Sequence, residues 1–338
     1  MPAEAPAVSF VIPVRDDARR LEVCLRSIAR TKVPDRVVEC VVADNGSTDA
    51  SPDVARAAGA AVLVLPGLRV SSLRNRAAEA ASADLLAFVD ADHELAPAWT
   101  SAALDLFTDP SVGVAGAHYT PPPDGTWVQR MFGVLRGRTR GRHDAQWLGS
   151  GNLIVRRQVF AALAGFDERL VTCEDVDFCE RARAAGVRVV ADEGLMSVHH
   201  GDPRSLGELF LSERWRGRDN LKVSLRHVPD LRGLPSIVIP ILQAAGLAVT
   251  VLAMVAAPWA GTPAIVAAAA ALTVVVGLML LRAARMVVGG RLTSPIDGLR
   301  AIAVAGAYDL GRAVSLLLPA GHRRARRGRV AAEAGRAG

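Results

Sequence analysis

The segment at residues 85–92, Leu85-Leu86-Ala87-Phe88-Val89-Asp90-Ala91-Asp92, joins an apolar run to two carboxylates one residue apart. Five consecutive apolar residues are typical of a strand buried on both faces of a parallel sheet. Open α/β sheets bind ligands beyond the carboxyl ends of their strands, where Asp90 and Asp92 lie. Paired carboxylates suit Mg²⁺ or Mn²⁺, particularly when phosphate oxygens complete the shell. An isolated Asp-x-Asp is more commonly a solvated turn, so the neighbouring strands must distinguish the two interpretations.

Apolar runs alternate with helical segments on both sides of this strand. Strands are predicted at 8–14, 37–43, 60–65, 85–90, 112–117 and 187–191, and helices at 18–30, 70–81 and 174–185. Alternation at this spacing predicts an α/β fold with a mostly parallel sheet. Residues 119–146 break the pattern because they are rich in proline, glycine and basic side chains, and we expect a mobile loop region over one face of the sheet.

The composition limits the classes of partner. The chain has 338 residues, enough for a large catalytic domain with an appendage. Its 40 Lys and Arg residues exceed its 34 Asp and Glu residues, giving a net charge of +6. Arginine suits phosphate recognition, but here the arginines are spread along the chain. No nucleic acid partner is therefore expected.

Residues 233–281 contain no Asp, Glu, Lys, Arg or His, and this run is roughly twice as long as one membrane span requires. The sequence Pro-Trp-Ala-Gly-Thr-Pro at 258–263 interrupts it, which predicts a transmembrane hairpin of about 234–257 and 263–281; a buried soluble helix pair is the alternative. Arginines 226, 232, 282, 285 and 291 flank its outer ends. Both ends are therefore expected in the cytoplasm, in a multi-pass protein of the inner cell membrane with a cytoplasmic catalytic domain.

A third apolar stretch, residues 296–318, is interrupted by Asp297, Arg300, Asp309 and Arg312. We interpret it as a helix in the cytoplasmic membrane interface, with the basic run at 323–327 on anionic lipid; a third span is the alternative. The predicted organisation is a catalytic domain at 1–225, the hairpin at 226–285, and this helix with its basic cytoplasmic tail at 286–338.

Further charged side chains follow the other predicted strands. Asp44 ends the second strand, where its carboxylate could accept the N3–H of a uracil-type base. Arg15 and Arg74 could contact a diphosphate, with Asp90 and Asp92 holding the metal. Taken singly, Asp44 is better explained by turn chemistry and Arg74 by a solvated helix face. Their order along the chain supports a common site.

In that order the motifs resemble the family 2 glycosyltransferases, which are inverting enzymes with the GT-A nucleotide-diphospho-sugar transferase fold, a Rossmann-like sheet. The resemblance covers residues 7 to about 220, roughly two thirds of the chain. It is carried by VSFVIPVR (8–15), VVADNGSTD (41–49), RNRAA (74–78), FVDAD (88–92), GNL (151–153), GFDE (165–168) and EDVD (174–177).

The resemblance implies roles for particular residues. The residues that would bind the nucleotide-sugar are Pro13, Arg15, Asp44, Arg74, Asp90 and Asp92. The metal, Mg²⁺ or Mn²⁺, would be bound by Asp92, Asp90 and His200. The acceptor side would include Gly151, Asn152, Arg214 and Trp215. His199 could replace His200. Asp175 would be the general base, because an attacking hydroxyl must lose its proton to a fixed carboxylate. Glu174 is the less favoured base, and helix capping or orientation of a neighbour is its alternative role. Metal and arginine would stabilise the leaving charge.

Arg214-Trp215 resembles the end of the Gln-x-x-Arg-Trp motif of processive members, but Leu211 stands at the glutamine position. This departure, with a single hairpin in place of a multi-helix channel, predicts transfer of one sugar per encounter. The nearby membrane segments predict a lipid-linked or membrane-proximal glycan acceptor. One alternative is a sugar-1-phosphate nucleotidyltransferase, for which a Gly-rich loop is expected where residues 13–17 stand. A non-catalytic membrane scaffold is the other, and the intact Asp90, Asp92 and Asp175 argue against it.

Overall fold

The computed structural model describes residues 7–31, 33, 37–226, 234–290 and 292–317. The basic run at 323–327, together with Arg232 and Arg291 of the predicted flanking arginines, lies outside these residues. The strands are β1 (Val8–Val14), β2 (Val38–Asp44), β3 (Ala61–Val64), β4 (Leu85–Val89), β5 (His93–Leu95), β6 (Val112–Gly116), β7 (Arg142–Asp144), β8 (Asn152–Arg156), β9 (Arg188–Asp192) and β10 (Ser197–His199).

Helices separate most of these strands. They are α1 (Ala18–Arg30), α2 (Ser51–Ala57), α3 (Val70–Ala80), α4 (Trp99–Leu106), α5 (Trp127–Arg136), α6 (Arg157–Ala162), α7 (Glu174–Ala184), α8 (Leu206–Arg216), α9 (Asn220–Ser224), α10 (Leu234–Ala260), α11 (Thr262–Gly290) and α12 (Pro295–Leu317). Helix α1 illustrates why they form, since Leu21, Cys24, Leu25 and Ile28 recur at helical spacing and all four are buried.

Eight strands of the described chain form one sheet in the order β3-β2-β1-β4-β8-β6-β9-β7. The first four strands of this order run parallel, and so do β6 and β9, whereas β8 and β7 run antiparallel to their neighbours. The predicted α/β fold with a mostly parallel sheet is thus confirmed. A separate ribbon joins β5 to β10 in antiparallel register.

Apolar side chains bury both faces of the sheet, as the continuous apolar runs predict. Phe10 on β1 packs with Trp99 and the buried face of α1 on one side. Phe88 on β4 packs on the other side, in a cluster of aromatic rings that includes Phe166 and Phe178. The carboxyl ends of β1, β2 and β4 consequently meet at one edge, where the predicted donor residues begin.

The expectation for residues 119–146 needs correction, because this segment contains helix α5 and strand β7. Thr126 caps α5: its hydroxyl accepts a hydrogen bond from the Gln129 N–H, and the Gln129 side chain accepts one from the Thr126 N–H. This reciprocal capping box is visible in the sequence as Thr-x-x-Gln before an apolar run. The buried face of α5, which includes Phe132, shares one apolar cluster with side chains of α8, α11 and α12.

Helices α10 and α11 are the two helices of the described chain that are long and apolar enough to cross a membrane. In the most apolar 18-residue window, only 22% of α10 and 17% of α11 is buried. A buried pair of helices in a soluble protein, the alternative interpretation, would be mostly covered. The predicted break at 258–263 is shorter than expected, since Pro258 lies inside α10 and the chain turns at Gly261 with φ +64°. Glycine adopts this left-handed conformation without strain.

Helix α12 links the catalytic domain to α10 and α11, and two of the charges that interrupt its apolar run face protein. The guanidinium of Arg312 lies 2.7 Å from the buried Glu213 of α8, and Asp309 lies 2.7 Å from Arg282 of α11. Gly311 permits the close approach to α8, since a Cβ there would lie 2.7 Å from the Phe210 carbonyl oxygen. The position of α12 relative to a membrane stays a prediction.

Candidate active site

Two neighbouring clefts open at the carboxyl edge of the sheet, and Asp90 lines both. The smaller cleft, of about 280 Å³, is lined by Pro13, Arg15, Asn45 and Asp92. The larger one, of about 1000 Å³, contains Arg74, Gly151, Glu174, Asp175 and Trp215. Most of the residues that the sequence nominated therefore lie around one carboxylate, that of Asp90.

Asp44 is placed behind the smaller cleft. Its side chain is 1% exposed, and its carboxylate accepts hydrogen bonds from the backbone N–H groups of Gly46 and Ser47, each at 3.1 Å. Asn45 lines the cleft in its place. In the structure Asp44 therefore makes the turn contacts that the sequence analysis gave as its alternative role. A contact between Asp44 and the base of a nucleotide stays a prediction.

Arg74 connects Asp90 to Glu174. Its guanidinium donates to Asp90 Oδ1 at 2.6 Å and to Glu174 Oε1 at 2.7 Å, and the side chain is only 3% exposed. A planar fork between two carboxylates is geometry that arginine provides and lysine does not. Arg74 therefore orients both carboxylates, which was not among the roles predicted for it.

Asp175 lies in the first turn of α7, beside this ion-pair network, and lines the larger cleft. Its Oδ1 accepts the Val176 N–H at 2.8 Å and its Oδ2 accepts the Ser150 N–H at 3.3 Å. Burial raises the pKa of Asp175 to about 6, and the negative charge of Glu174 adds to the effect. A carboxylate with such a pKa can take up a proton near neutral pH.

Asp92 faces a histidine on β10. Its Oδ2 lies 3.3 Å from Nε2 of His199, whose Nδ1 lies 2.6 Å from Oδ1 of the buried Asp202. Burial alone would lower the pKa of His199, but the negative charges of Asp92 and Asp202 raise it to about 9. Burial alone would raise the pKa of Asp92, but the charge of His199 holds it well below its usual range. Arg136 pairs with Asp202 in turn.

His93 completes this group. One ligand atom each from Asp92, His93 and His199 can be chosen within 4.8 Å of one another, a set suited to a metal ion. His200 is not in this cluster of the described residues, because its Nε2 lies 3.1 Å from Glu94. The cluster thus contains His199, which the sequence offered as the replacement for His200, and the binding of a metal by either histidine stays a prediction.

A metal fits these residues on structural grounds. Oδ1 of Asp92 is buried and, within the described chain, accepts no hydrogen bond. Gly201 leaves the room that the carboxylate needs, since a Cβ at this position would lie 1.8 Å from Asp92 Oδ2. A buried carboxylate oxygen with no protein donor has the lone pairs that a divalent cation requires.

Two residues predicted on the acceptor side lie elsewhere. Asn152 is fully buried, where its side chain accepts from Trp99 Nε1 and donates to the carbonyl oxygens of Ala117 and Leu195. Arg214 lies on α8 outside the residues that line the larger cleft, whereas Trp215 and Arg216 line it. Asn152 therefore holds the strands together and cannot reach an acceptor without losing these bonds.

Sequence reasoning missed several residues of the site. His93 is adjacent to the Asp-x-Asp motif, and Asp202 follows His199 by three residues, so both were open to inspection. Tyr119 packs on both histidine rings, at centroid distances of 4.9 and 4.8 Å, and Arg136 lies 4.4 Å above the Tyr119 ring. No signal marked Tyr119 or Arg136, because both belong to the segment interpreted as a loop.

Known proteins resemble this chain in sequence and in fold. Residues 9–162 match the model of glycosyl transferase family 2. Glycosyltransferase AglE of Haloferax volcanii is 26% identical over 235 residues, covering 66% of this chain and 76% of that protein. Pre-mycofactocin glycosyltransferase of Mycobacterium tuberculosis is 28% identical over 236 residues, covering 66% of this chain and 48% of that protein. This chain thus spans about half the length of the second relative.

Among solved structures, a mannosyltransferase, PcManGT from Pyrobaculum calidifontis in complex with GDP-Man and Mn²⁺, has a TM-score of 0.59 and 20% identity, covering 94% of this chain and 88% of that one. The family match, the glycosyltransferase relatives and the fold thus define a glycosyltransferase of the GT-A fold. The matched residues belong to glycosyltransferase family 2.

Proposed function

We propose that the chain is a membrane-anchored, metal-dependent, inverting glycosyltransferase that transfers one sugar from a nucleotide-diphospho-sugar. The acceptor is a hydroxyl of a lipid-linked or membrane-proximal glycan on the cytoplasmic face of the inner cell membrane. The observation that carries the proposal is the extent of the larger cleft, which runs from Asp90 and Asp175 to Arg282 and Arg285 on α11. The reaction centre and the base of the apolar helices therefore share one continuous space.

The donor side of the proposal rests on the smaller cleft. Pro13 and Arg15 follow β1, and Asn45 follows β2, so the cleft lies where open α/β sheets bind nucleotides. Arg15 is exposed at this cleft, where its guanidinium is available to a diphosphate. Asp92, His93 and His199 would hold the divalent ion once His199 has released its Nε2 proton, as metal binding requires of a histidine, and the bound ion would offset the charge that develops on the leaving diphosphate.

The acceptor side rests on Asp175. Its raised pKa suits a base that removes the proton of the attacking hydroxyl, and its hydrogen bonds to Val176 and Ser150 fix its orientation. One attack on the anomeric carbon from the side opposite the diphosphate inverts that centre. Glu174 is a weaker candidate for this step because its carboxylate is bound to Arg74.

The membrane side rests on exposed apolar surface. Many large apolar side chains of α10 and α11 are exposed, among them Leu252 at 68% and Val266 at 61%. Patches of this extent are uncommon on soluble proteins. Trp259, at the tip of the hairpin, is 83% exposed, as expected of an aromatic residue at a membrane–water interface. A lipid-linked acceptor would then place its polar head at the level of Arg282 and Arg285.

The donor can be tested with the full chain in detergent and a panel of UDP-, GDP- and dTDP-sugars with Mn²⁺. We expect one donor to raise the melting temperature and to be hydrolysed slowly, with both effects lost when Mn²⁺ is omitted. NMR of the transferred sugar should show an inverted anomeric centre. A panel in which no donor protects the protein or is consumed would overturn the proposal.

The acceptor can be tested by charge reversal at the membrane end of the larger cleft. Arg285 is exposed on α11 and lines the cleft, so Arg285→Glu should raise the KM for a lipid-linked acceptor and leave the KM for the donor unchanged. Arg138→Glu is the matched control, since Arg138 is exposed outside the cleft lining. Equal KM values for both variants and the unsubstituted enzyme would argue against an acceptor at this end.

A further inference from the structure

We propose that Asp219 is a positioning residue for Asp175, and that residues 219–226, here called the clasp, hold the loop and the helix that carry this base. The inference rests on the role of base proposed above for Asp175. Neither the sequence motifs nor the family resemblance assigns a role to Asp219.

The carboxylate of Asp219 holds the backbone that leads into α7. Its Oδ2 accepts the Val171 N–H at 2.7 Å and the Thr172 N–H at 3.1 Å. The Asp219 N–H in turn donates to Oγ1 of the buried Thr172 at 3.3 Å. Hydrogen bonds from backbone N–H groups to a carboxylate are roughly twice as strong as those between neutral groups. Asp175 follows Thr172 by three residues, so this backbone sets where the base enters the larger cleft.

Asp219 makes these contacts in place of a local one. It stands at the N-cap of α9, where an aspartate side chain usually accepts an N–H of its own helix. In the described chain its side chain makes no such capping bond, and it turns to a loop 47 and 48 residues earlier. The orientation of this carboxylate is therefore explained by the loop before the base and not by α9.

The backbone between these contacts and the base is strained. Cys173 has φ +63°, in the left-handed region that residues other than glycine rarely adopt. Such a conformation persists where the surrounding contacts determine it. The two N–H groups that Asp219 holds belong to the residues just before Cys173. Without this carboxylate the loop can relax at Cys173 and move Asp175 out of place.

A second contact of the clasp holds α7 on the other side of the base. Nη1 of Arg226 lies 2.8 Å from Oδ1 of Asp177, a buried residue in the first turn of α7. The same nitrogen lies 2.8 Å from Oδ2 of Asp167. Asp177 follows Asp175 by two residues. The clasp therefore contacts the chain both before and after the base.

The clasp is also attached to the first apolar helix. The side-chain amide of Asn220 donates to the Ser236 carbonyl oxygen in α10 at 3.1 Å. One short segment thus contacts α10 at one point and the surroundings of Asp175 at two others. The position of the base is therefore linked to the helix proposed to anchor the domain.

Asp219→Ala in the full chain in detergent tests the inference by kinetics and by hydrogen–deuterium exchange. Asp219 lines neither cleft, so the KM for the donor and the affinity for Mn²⁺ should be unchanged. The kcat should fall by up to about 100-fold, as expected when a reacting group is misplaced. Peptides covering residues 171–176 should exchange faster, because the N–H groups of Val171 and Thr172 lose their acceptor.

Asp219→Asn keeps an oxygen acceptor at the same place. It should therefore restore kcat to within about tenfold of the unsubstituted enzyme, since a neutral acceptor makes weaker hydrogen bonds than a carboxylate. A general loss of stability would not separate the two variants in this way. Equal kcat values for the alanine and asparagine variants would contradict the hydrogen-bonding role of Asp219.

Asp109→Ala is the matched control. The Asp109 carboxylate accepts the Ser111 N–H at 2.9 Å, in a turn before β6 at the edge of the sheet opposite the clefts. This variant also loses a turn contact, but its kcat should be unchanged, and thermal melting checks that both alanine variants are folded. An equal fall of kcat in Asp109→Ala would overturn the inference, as would an unchanged kcat in a folded Asp219→Ala protein.

The exchange measurement needs no substrate, so it separates this inference from the proposed function. Residues 171–176 that stay protected in Asp219→Ala would overturn the inference and leave sugar transfer untouched. A protein that transfers no sugar, but in which Asp219→Ala speeds exchange at residues 171–176, would refute the proposed function alone.

Discussion

Asp92 and Asp175 are two carboxylates of one active site whose pKa values move in opposite directions. Asp92 lies beside His199, and the charge of that histidine keeps its pKa well below the usual range against the effect of burial. Asp175 lies beside Glu174, and burial together with that like charge raises its pKa to about 6. Burial is common to both residues, so the difference arises from the sign of the neighbouring charge.

The difference separates two kinds of chemistry within one site. A carboxylate held in the ionised form suits a cation, and one that titrates near neutral pH suits proton transfer. Arg74 keeps the two regions connected but distinct, because it neutralises Asp90 on one side and Glu174 on the other. The predictions below test whether the two carboxylates are as different as their surroundings indicate.

The largest effect is expected from Asp175→Asn, which keeps the shape of the side chain and removes the base. Loss of a general base typically costs about 10²–10⁴ in rate, so kcat should fall by that factor while Mn²⁺ and donor binding persist. Steady-state kinetics and donor titration on the same preparation measure both. Retention of full transfer activity would remove Asp175 from the role of base.

Arg74→Met should destabilise the fold, because it leaves Asp90 and Glu174 without their shared partner. Removing one member of a buried ion pair costs about 3–5 kcal/mol. Unfolding in detergent measures the loss. Arg76→Met on the same helix is the control, since Arg76 is exposed and pairs with Glu79 at the surface; a comparable loss there would contradict the interpretation.

The carboxyl ends of the parallel strands were predictable from sequence because their signal is local. The apolar run before Asp90 and the helix at 18–30 are defined by neighbouring residues, and the structure reproduces β1 and α1 at the predicted bounds. Asp175 likewise falls in the first turn of the helix predicted to start at Glu174. Local periodicity suffices where an element and its terminal carboxylate are contiguous in the chain.

The pairings between distant segments were not predictable in this way. Arg74 meets Glu174 one hundred residues later, and His93 meets His199 only because β5 and β10 pair. Asn152, adjacent to the cleft residue Gly151, turns into the core, since successive strand residues face opposite sides. His200 was predicted as the ligand, with His199 as its replacement, for a related reason. The side-chain alternation along β10, which the sequence did not reveal, decides which histidine faces Asp92.

Asp202→Asn tests the metal side of the comparison through a residue that touches no substrate. It should weaken Mn²⁺ binding about 10–100-fold, as is typical when the partner of a ligating histidine is changed. Calorimetric titration with Mn²⁺ measures the change. Glu94→Gln is the matched control because Glu94 faces His200; equal affinities for both variants would show that His199 needs no carboxylate behind it.

The smallest effect is expected in the pH dependence of transfer, which tests the raised pKa of Asp175 directly. Asp175 acts as a base only when ionised, so kcat/KM should fall about tenfold per pH unit below its pKa of about 6. Mn²⁺ occupancy measured at each pH separates this fall from loss of the metal.

Glu174→Gln removes the like charge that raises the pKa of Asp175, so the inflection should move to lower pH. An inflection that stays in place would mean that burial alone sets the pKa of the base, and a profile flat down to pH 5 would assign proton removal to another group.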